Sequence, residues 1–386
     1  MTMFKINSRK LKSDLWILLF IIFLSLLINI FLIILRVEIA QYNGVEPNYT
    51  IFYDAVKFNS APFYTDELTY YNFNPQETFI ESFQNRMILL YEEKTLLNIN
   101  LYGYYVRSLR EFFNSNWIGI LFFTGMLYNI IFIVLMFYIL RNIIGLDNKK
   151  VFFFLISIIL SPPYLQLISS WLRDLLIIDL LLMALIFAEK NKFFFWVLVT
   201  VIQMFIRAYM IIPHIIILLF FYNGKNEKYN ILKRNLLSGL ILCVITILII
   251  NQFSFLKLKG EFLPRLVQNF TGISVGLIRG DFFLREGVYN YLYNIEMLTR
   301  YFYFLFYSIF YFYFFSNMFL LNRRLDRSQR KYLYTFLFVG LFIVILHSSV
   351  LGFFVSRILF ITMIFGYLFL ASLLNTSNKR ITMDKA

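Results

Sequence analysis

The chain has 386 residues, of which 60% are hydrophobic and 15% charged, and it carries a formal net charge of +14. Soluble globular proteins hold about 45–50% apolar and about 25% charged residues, so too few polar side chains are present to cover a water-exposed surface. That excludes an ordinary soluble enzyme, a disordered chain and a disulfide scaffold. Apolar runs longer than about 18 residues point instead to an all-α polytopic integral membrane protein. The single cysteine, Cys243, forms no disulfide within the chain, and one cysteine with two histidines does not make a His/Cys metal cluster. The excess of Lys and Arg reads first as the bias of loops on the cytoplasmic side of a membrane, not as a nucleic-acid surface.

Residues 1–14 form a cytoplasmic N-terminus bearing Lys5, Arg9, Lys10 and Lys12. Residues 15–35 follow without a charge, too long for a signal-peptide core, and read as a retained first transmembrane helix. Residues 36–116 make a large outer loop between the first two helices. From Val37 onward it holds ten acids and five bases, and its many Tyr and Phe residues predict a compact cap. Residues 117–255 carry the second to seventh spans: 117–140, 151–168 bent by Pro162 and Pro163, 171–188, two within 193–222, and 237–255. As one helix, 193–222 would be about 45 Å long against a hydrocarbon core of about 30 Å. Arg207, Pro213 and His214 interrupt it, so it reads as two short spans meeting near Arg207.

Residues 256–300 form a second outer loop, residues 301–374 hold three further spans (301–321, 333–348 and 357–374), and residues 375–386 are a cytoplasmic tail. About ten spans with both termini inside place 21 Lys/Arg and six acids in the cytoplasm, against 15 and 16 elsewhere. The strongest basic clusters then all fall on one side. Signatures of nucleotide or zinc chemistry (G-x-x-x-x-G-K-[ST], G-x-G-x-x-G, H-E-x-x-H) are lacking.

Charges inside apolar spans are costly and mark functional sites by default. Arg173 and Asp174 open the fourth span at its outer end, Arg207 lies at the junction of the fifth and sixth, His347 closes the ninth and Arg357 opens the tenth. The second outer loop adds Arg265, Arg279, Asp281, Arg285, Glu286 and Arg300. From Arg265 onward the outer side has five arginines and no lysine. Guanidinium groups stay charged and fork onto phosphate oxygens, which an ammonium does not. The pattern predicts a site for an anion beside the membrane, a lipid-linked pyrophosphate or an acidic sugar.

Each residue also has a structural reading. Arg173–Asp174 makes an interfacial ion pair equally well, and Arg357 a snorkelling anchor. Asp179, deeper in the fourth span, fits a hydrogen-bonded structural aspartate or a catalytic one. His214, after Pro213, serves to bond a freed carbonyl. Asp66–Glu67 is an acid pair in a loop already rich in acids.

The run Ser161-Pro162-Pro163-Tyr164 through Ser169-Ser170-Trp171-Leu172-Arg173-Asp174, followed about thirty residues later by Arg207 and then by an arginine-bearing late loop, resembles the Wzy-type polymerases of O-antigen, capsule and exopolysaccharide repeat units. Topology carries the likeness over most of the chain, while the motif-level match is confined to 161–207. The resemblance implies a GT-C-like membrane glycosyltransferase of the bacterial plasma membrane. It would move a growing glycan from undecaprenyl diphosphate to a new lipid-linked repeat unit, with no metal or cofactor, among membrane lipids. Whether a chain-length regulator binds is left open. On that reading Arg173, Arg207, Arg265, Arg279, Arg285 and Arg357 bind diphosphate or glycan, and Asp281, Asp174 or His347 is the base. A GT-C transferase using a polyprenyl-phosphate donor would instead rest on Asp54 or Asp66–Glu67. A lipid-linked oligosaccharide transporter is the third reading.

Overall fold

The computed structural model describes residues 8–42, 80–81, 101–170, 172–222, 294–295, 297–298, 301, 312–346 and 356–383, and every element among them is helical. Helix α1 spans Ser8–Tyr42. A short helix α2, Leu101–Phe112, precedes α3, Trp117–Tyr138. The pair α4, Asn148–Ile159, and α5, Pro162–Ile168, is bent by 70°. Then come α6, Asp174–Glu189, α7, Phe193–Ile206, and α8, Ile211–Phe221. The described remainder comprises α9, Phe312–Ser316, α10, Met318–Arg324, α11, Arg327–Leu346, and α12, Ser356–Met383.

Two of these are long and apolar enough to cross a membrane, over Ser13–Gln41 and Trp117–Ile144, and the bent pair α4–α5 adds a third if it counts as one span. The break in the latter is where the sequence put it. Pro162 and Pro163 occupy the first turn of α5, where a missing N–H costs nothing, and Pro cannot continue α4. Helices α7 and α8 are shorter, about 21 and 17 Å at 1.5 Å per residue, and meet at a break at Arg207 as expected. The expected span 237–255 lies outside the described residues.

Two expectations need correction. The first helix does not stop at residue 35 but runs through Arg36 to Tyr42, because no helix breaker intervenes and the Arg36 side chain is fully buried among protein partners. The described part of 301–321 is not one continuous helix. Asn317 interrupts it between α9 and α10, its side-chain amide donating to the Tyr313 carbonyl at 2.8 Å.

Polar contacts sort the helix ends into two layers. At one end Arg141 donates to Asp14 (3.1 Å), Asn148 to Ser13 (3.0 Å), Lys150 to the Leu374 carbonyl (3.1 Å) and Asn375 to the Ile144 carbonyl (2.6 Å). Lys190 sits 5.8 Å from the Tyr138 ring, and Lys331 pairs with Glu189 at 3.0 Å. These contacts join the start of α1, the end of α3, the start of α4, the end of α6, the start of α11 and the last part of α12. Every base among them is one that the charge pattern put on the cytoplasmic side. Gly145, at φ 85°, ends the π-helical turn Ile139–Ile144 in the left-handed region that only glycine enters freely.

Between the layers the bundle holds a polar knot. Ser25 of α1 donates to the Asn129 side-chain oxygen of α3 at 2.8 Å, and the Tyr164 hydroxyl of α5 bonds the same oxygen. Asn29 donates to the Ile168 carbonyl at 3.0 Å, which helps offset the backbone groups freed where α5 ends. Interhelical hydrogen bonds in membrane bundles contribute about 0.6 kcal/mol each, so register here rests on close packing as much as on polarity. Gly125 shows that packing. A Cβ there would lie 2.7 Å from the Ile168 carbonyl oxygen and 2.8 Å from Asn29 Nδ2. A backbone oxygen cannot retreat, so Gly125→Ala should cost about 1–3 kcal/mol by overpacking. A clear fall in the thermal midpoint of purified protein is expected, and an unchanged midpoint would show that α1, α3 and α5 do not meet this closely.

Candidate functional site

The opposite end of the bundle gathers three arginines from distant parts of the chain. Arg36 reaches from α1 to the Ser169 carbonyl just beyond α5. Four residues later Arg173 precedes the first turn of α6 and donates to the Ile206 carbonyl at 2.9 Å, capping the end of α7. Arg207, the next residue after α7, donates to Asp174 Oδ1 at 2.9 Å. Its guanidinium also lies 5.4 Å from the Tyr209 ring, within cation–π range.

The local sequence accounts for this. Arg207 adopts an extended conformation (φ −158°, ψ 94°), so α7 ends there, and a single turn over Ala208–Met210 leads into α8. The returning helix brings Tyr222 back to Phe193, ring centroids 6.2 Å apart, so α7 and α8 form a hairpin whose tip carries Arg207. Asp174 sits in the first turn of α6, where the helix dipole favours a carboxylate. The Asp174 side chain is 3% exposed and that of Arg207 10%, so the pair is desolvated on both sides.

Helix rise sets the depth of this cluster. From Asp14 to Arg36 along α1 is roughly 33 Å, and from Asp174 to Glu189 along α6 roughly 23 Å. The arginine layer and the basic layer are therefore separated by about the thickness of a hydrocarbon core. Helix α2 buries Tyr102 and Val106 and sets Tyr105 beside Tyr128 of α3, the ring centroids 6.4 Å apart. Burial pushes the Tyr105 hydroxyl above its ordinary pKa. The turn from α2 to α3 runs through Asn114 and Ser115 at positive φ, and Asn116 caps α3 by accepting from the Ile118 and Gly119 N–H groups. Of the segment 36–116, residues 36–42, 80–81 and 101–116 are described.

Of the residues singled out in the sequence, Arg173, Asp174 and Arg207 come together. Arg357 is the second residue of α12, and nothing of its side chain belongs to the described set. Arg265, Arg279, Asp281, Arg285 and His347 lie outside the described residues, as do Asp54, Asp66 and Glu67. Asp179 is buried, neither carboxylate oxygen has a hydrogen-bond partner among the described residues, and it sits within electrostatic reach of Tyr128 and Tyr164. His214 does not bond a freed carbonyl: its Nδ1 lies 3.0 Å from the Thr200 hydroxyl across the α7–α8 hairpin.

Arg36 was missed. It ends an apolar run and so reads in sequence as the first residue of a loop, whereas the helix continues past it to the buried Ile39 and Ala40. Comparison with protein-family models, curated proteins and solved structures gave no significant match.

The Asp174–Arg207 pair makes a sharp thermodynamic statement. Removing one member of a buried pair strands the other charge and costs about 3–5 kcal/mol, whereas removing both costs far less. Arg207→Gln and Asp174→Asn should each lower the thermal midpoint markedly, and the double variant should recover much of the loss. Additive losses would mean that the two charges are not coupled.

Proposed function

We propose that this chain is a polymerase of lipid-linked oligosaccharide repeat units. On this reading it crosses a bacterial plasma membrane about ten times with both termini in the cytoplasm, and it works at the outer face. The observation that carries the reading is the convergence of Arg173 and Arg207, with Asp174 between them, at the end of the bundle opposite its basic layer. Forked cations held one hydrocarbon thickness from the basic side suit an anion that is itself anchored in lipid.

The chemistry follows from the leaving group. The acceptor hydroxyl oxygen attacks the anomeric carbon of the donor glycan. The bond from that carbon to the diphosphate oxygen breaks, its electron pair passes to the diphosphate, and a base takes the hydroxyl proton. Arg173 and Arg207 would stabilise charge as it develops on the departing diphosphate, the step at which preorganised donors lower a barrier most. Arg265, Arg279, Arg285 and Arg357 would extend that grip. Asp174 Oδ1 is engaged by Arg207, so its first task is to hold that guanidinium in place. Asp281 and His347 then remain as the bases to test. Membrane lipid surrounds the enzyme, and a chain-length regulator is a further partner to look for.

Deleting the gene should leave single complete repeat units and no ladder when the surface or lipid-linked glycan is resolved by gel and mass spectrometry. Arg173→Ala should behave like the deletion while still inserting. Arg207→Lys, which keeps the charge and loses the fork, should give short chains at normal protein levels. A ladder of normal length in both variants overturns the arginine roles. An incomplete unit lacking one sugar would identify a GT-C transferase and move attention to Asp54, Asp66 and Glu67.

The topology has its own test. In a Cys243→Ala background, Asn48→Cys should react with an impermeant thiol reagent on intact cells, while Lys149→Cys should be protected until the membrane is opened. The reverse pattern overturns the orientation.

A further inference from the structure

A polar stripe runs down the buried side of α7, away from Arg207. Arg207, Gln203, Thr200 and Trp196 recur at helical spacing, and Trp196, Thr200 and Gln203 are all buried. On α8 the facing residue is His214, which is also fully buried. Such a stripe inside an apolar bundle needs its hydrogen bonds accounted for.

The Thr200 hydroxyl decides the state of the histidine. Its one hydrogen goes to the Trp196 carbonyl, 2.8 Å away. His214 Nδ1, 3.0 Å from the same oxygen, is the donor in that contact as long as the hydroxyl hydrogen stays on the carbonyl. In the neutral ring the proton sits on Nδ1 and Nε2 carries a lone pair. That nitrogen is buried and has no hydrogen-bond partner among the described residues. The Trp196 indole N–H and both ends of the Gln203 amide are likewise buried without partners among the described residues. The Trp196 and His214 rings are 6.5 Å apart, and Gln203 lies about two turns from Trp196, and one from Thr200, toward Arg207 on the same face of α7. One acceptor of fixed tautomer, one obligate donor and one amide offering both therefore line the inside of a hairpin whose tip is a helix break. Buried water is found in sites of this kind, where two to four polar groups converge.

We propose that the α7–α8 hairpin holds a bound water site beneath the Arg207 tip, with His214 Nε2 accepting from the water, Trp196 Nε1 donating to it and Gln203 closing the side toward Arg207. The site is independent of the reaction assigned to the protein. It gives the arginine cluster a hydrated, uncharged floor, so that the broken helix end at Arg207 faces polar groups on both sides.

The chain has only two histidines, which makes the test clean. His347→Gln protein carrying 15N-histidine, reconstituted in lipid, leaves His214 as the one imidazole in a solid-state NMR spectrum. The expected spectrum has a protonated Nδ1, an unprotonated Nε2 and a cross-peak from water protons to Nε2. Gln203→Leu in the same background should weaken or abolish the water cross-peak while Nδ1 stays protonated, because Thr200 is untouched. Thr200→Val should shift the proton between the two nitrogens. A proton on Nε2, or an unprotonated Nε2 with no water cross-peak, overturns the proposal. A water cross-peak unchanged in Gln203→Leu removes Gln203 from the site.

Discussion

A guanidinium at a helix break, surrounded by apolar helices, cannot be left to solvent, and the tip of the α7–α8 hairpin is built around meeting it. Arg207 ends α7 in an extended conformation and delivers its charge to Asp174 at the start of α6. Arg173, next to Asp174, returns the contact by capping the last carbonyls of α7. The two helix ends thus satisfy each other: the carboxylate lies where the α6 dipole favours it, and the guanidinium lies where the α7 carbonyls need a donor. Because both side chains are desolvated, neither can leave without stranding the other. Arg36 ties α1 and the exit of α5 into the same layer. Three chain segments that are far apart in sequence share one level because their charges are met there.

The same logic holds at the far end, with a different material. There the contacts are Lys and Arg on single carboxylates, carbonyls and ring faces: Asp14 with Arg141, Glu189 with Lys331, and Tyr138 beneath Lys190. These groups are more exposed, and exposed pairs contribute little to stability. Their use lies in fixing which helix ends belong together. Among the described cations the most buried, Arg36 and Arg207, are arginines, and those at the far end are Lys and Arg mixed. That division follows from the weaker hydration of guanidinium, which makes it the cheaper cation to bury.

What the sequence disclosed depended on whether a local signal existed. The proline bend at Pro162–Pro163 and the break at Arg207 were both readable, because proline removes a donor and an apolar run of thirty residues is too long for one span. The placement of Lys and Arg put the basic helix ends on one side, without saying which of them touch. The length of α1 was not readable, since an arginine ending an apolar run looks the same whether it enters water or is buried against a carbonyl 133 residues away. The break at Asn317 was hidden inside a run of aromatic residues, where no Pro or Gly marks it. Asp174 and Arg207 were each marked as unusual, but the bond between them depends on tertiary packing that no spacing rule encodes. His214 was assigned a carbonyl because Pro213 precedes it, whereas the hairpin supplies a threonine hydroxyl from the facing helix.

The pairing also bears on how the cluster would work. An arginine already bound to a carboxylate offers an incoming anion the rest of its fork, and the carboxylate keeps the guanidinium plane from rotating away. Such a cluster is preorganised at the cost of part of its net charge. An isolated arginine would attract an anion more strongly and orient it less. For a lipid-anchored ligand, attraction is the lesser need, since diffusion in the membrane plane already brings the headgroup to the right depth. Under the proposed function, orientation of the scissile bond toward an acceptor would be what remains to be supplied. Holding Arg207 by Asp174, and Arg173 by the end of α7, fits that division of labour. A set of freely moving cations at the same depth would not.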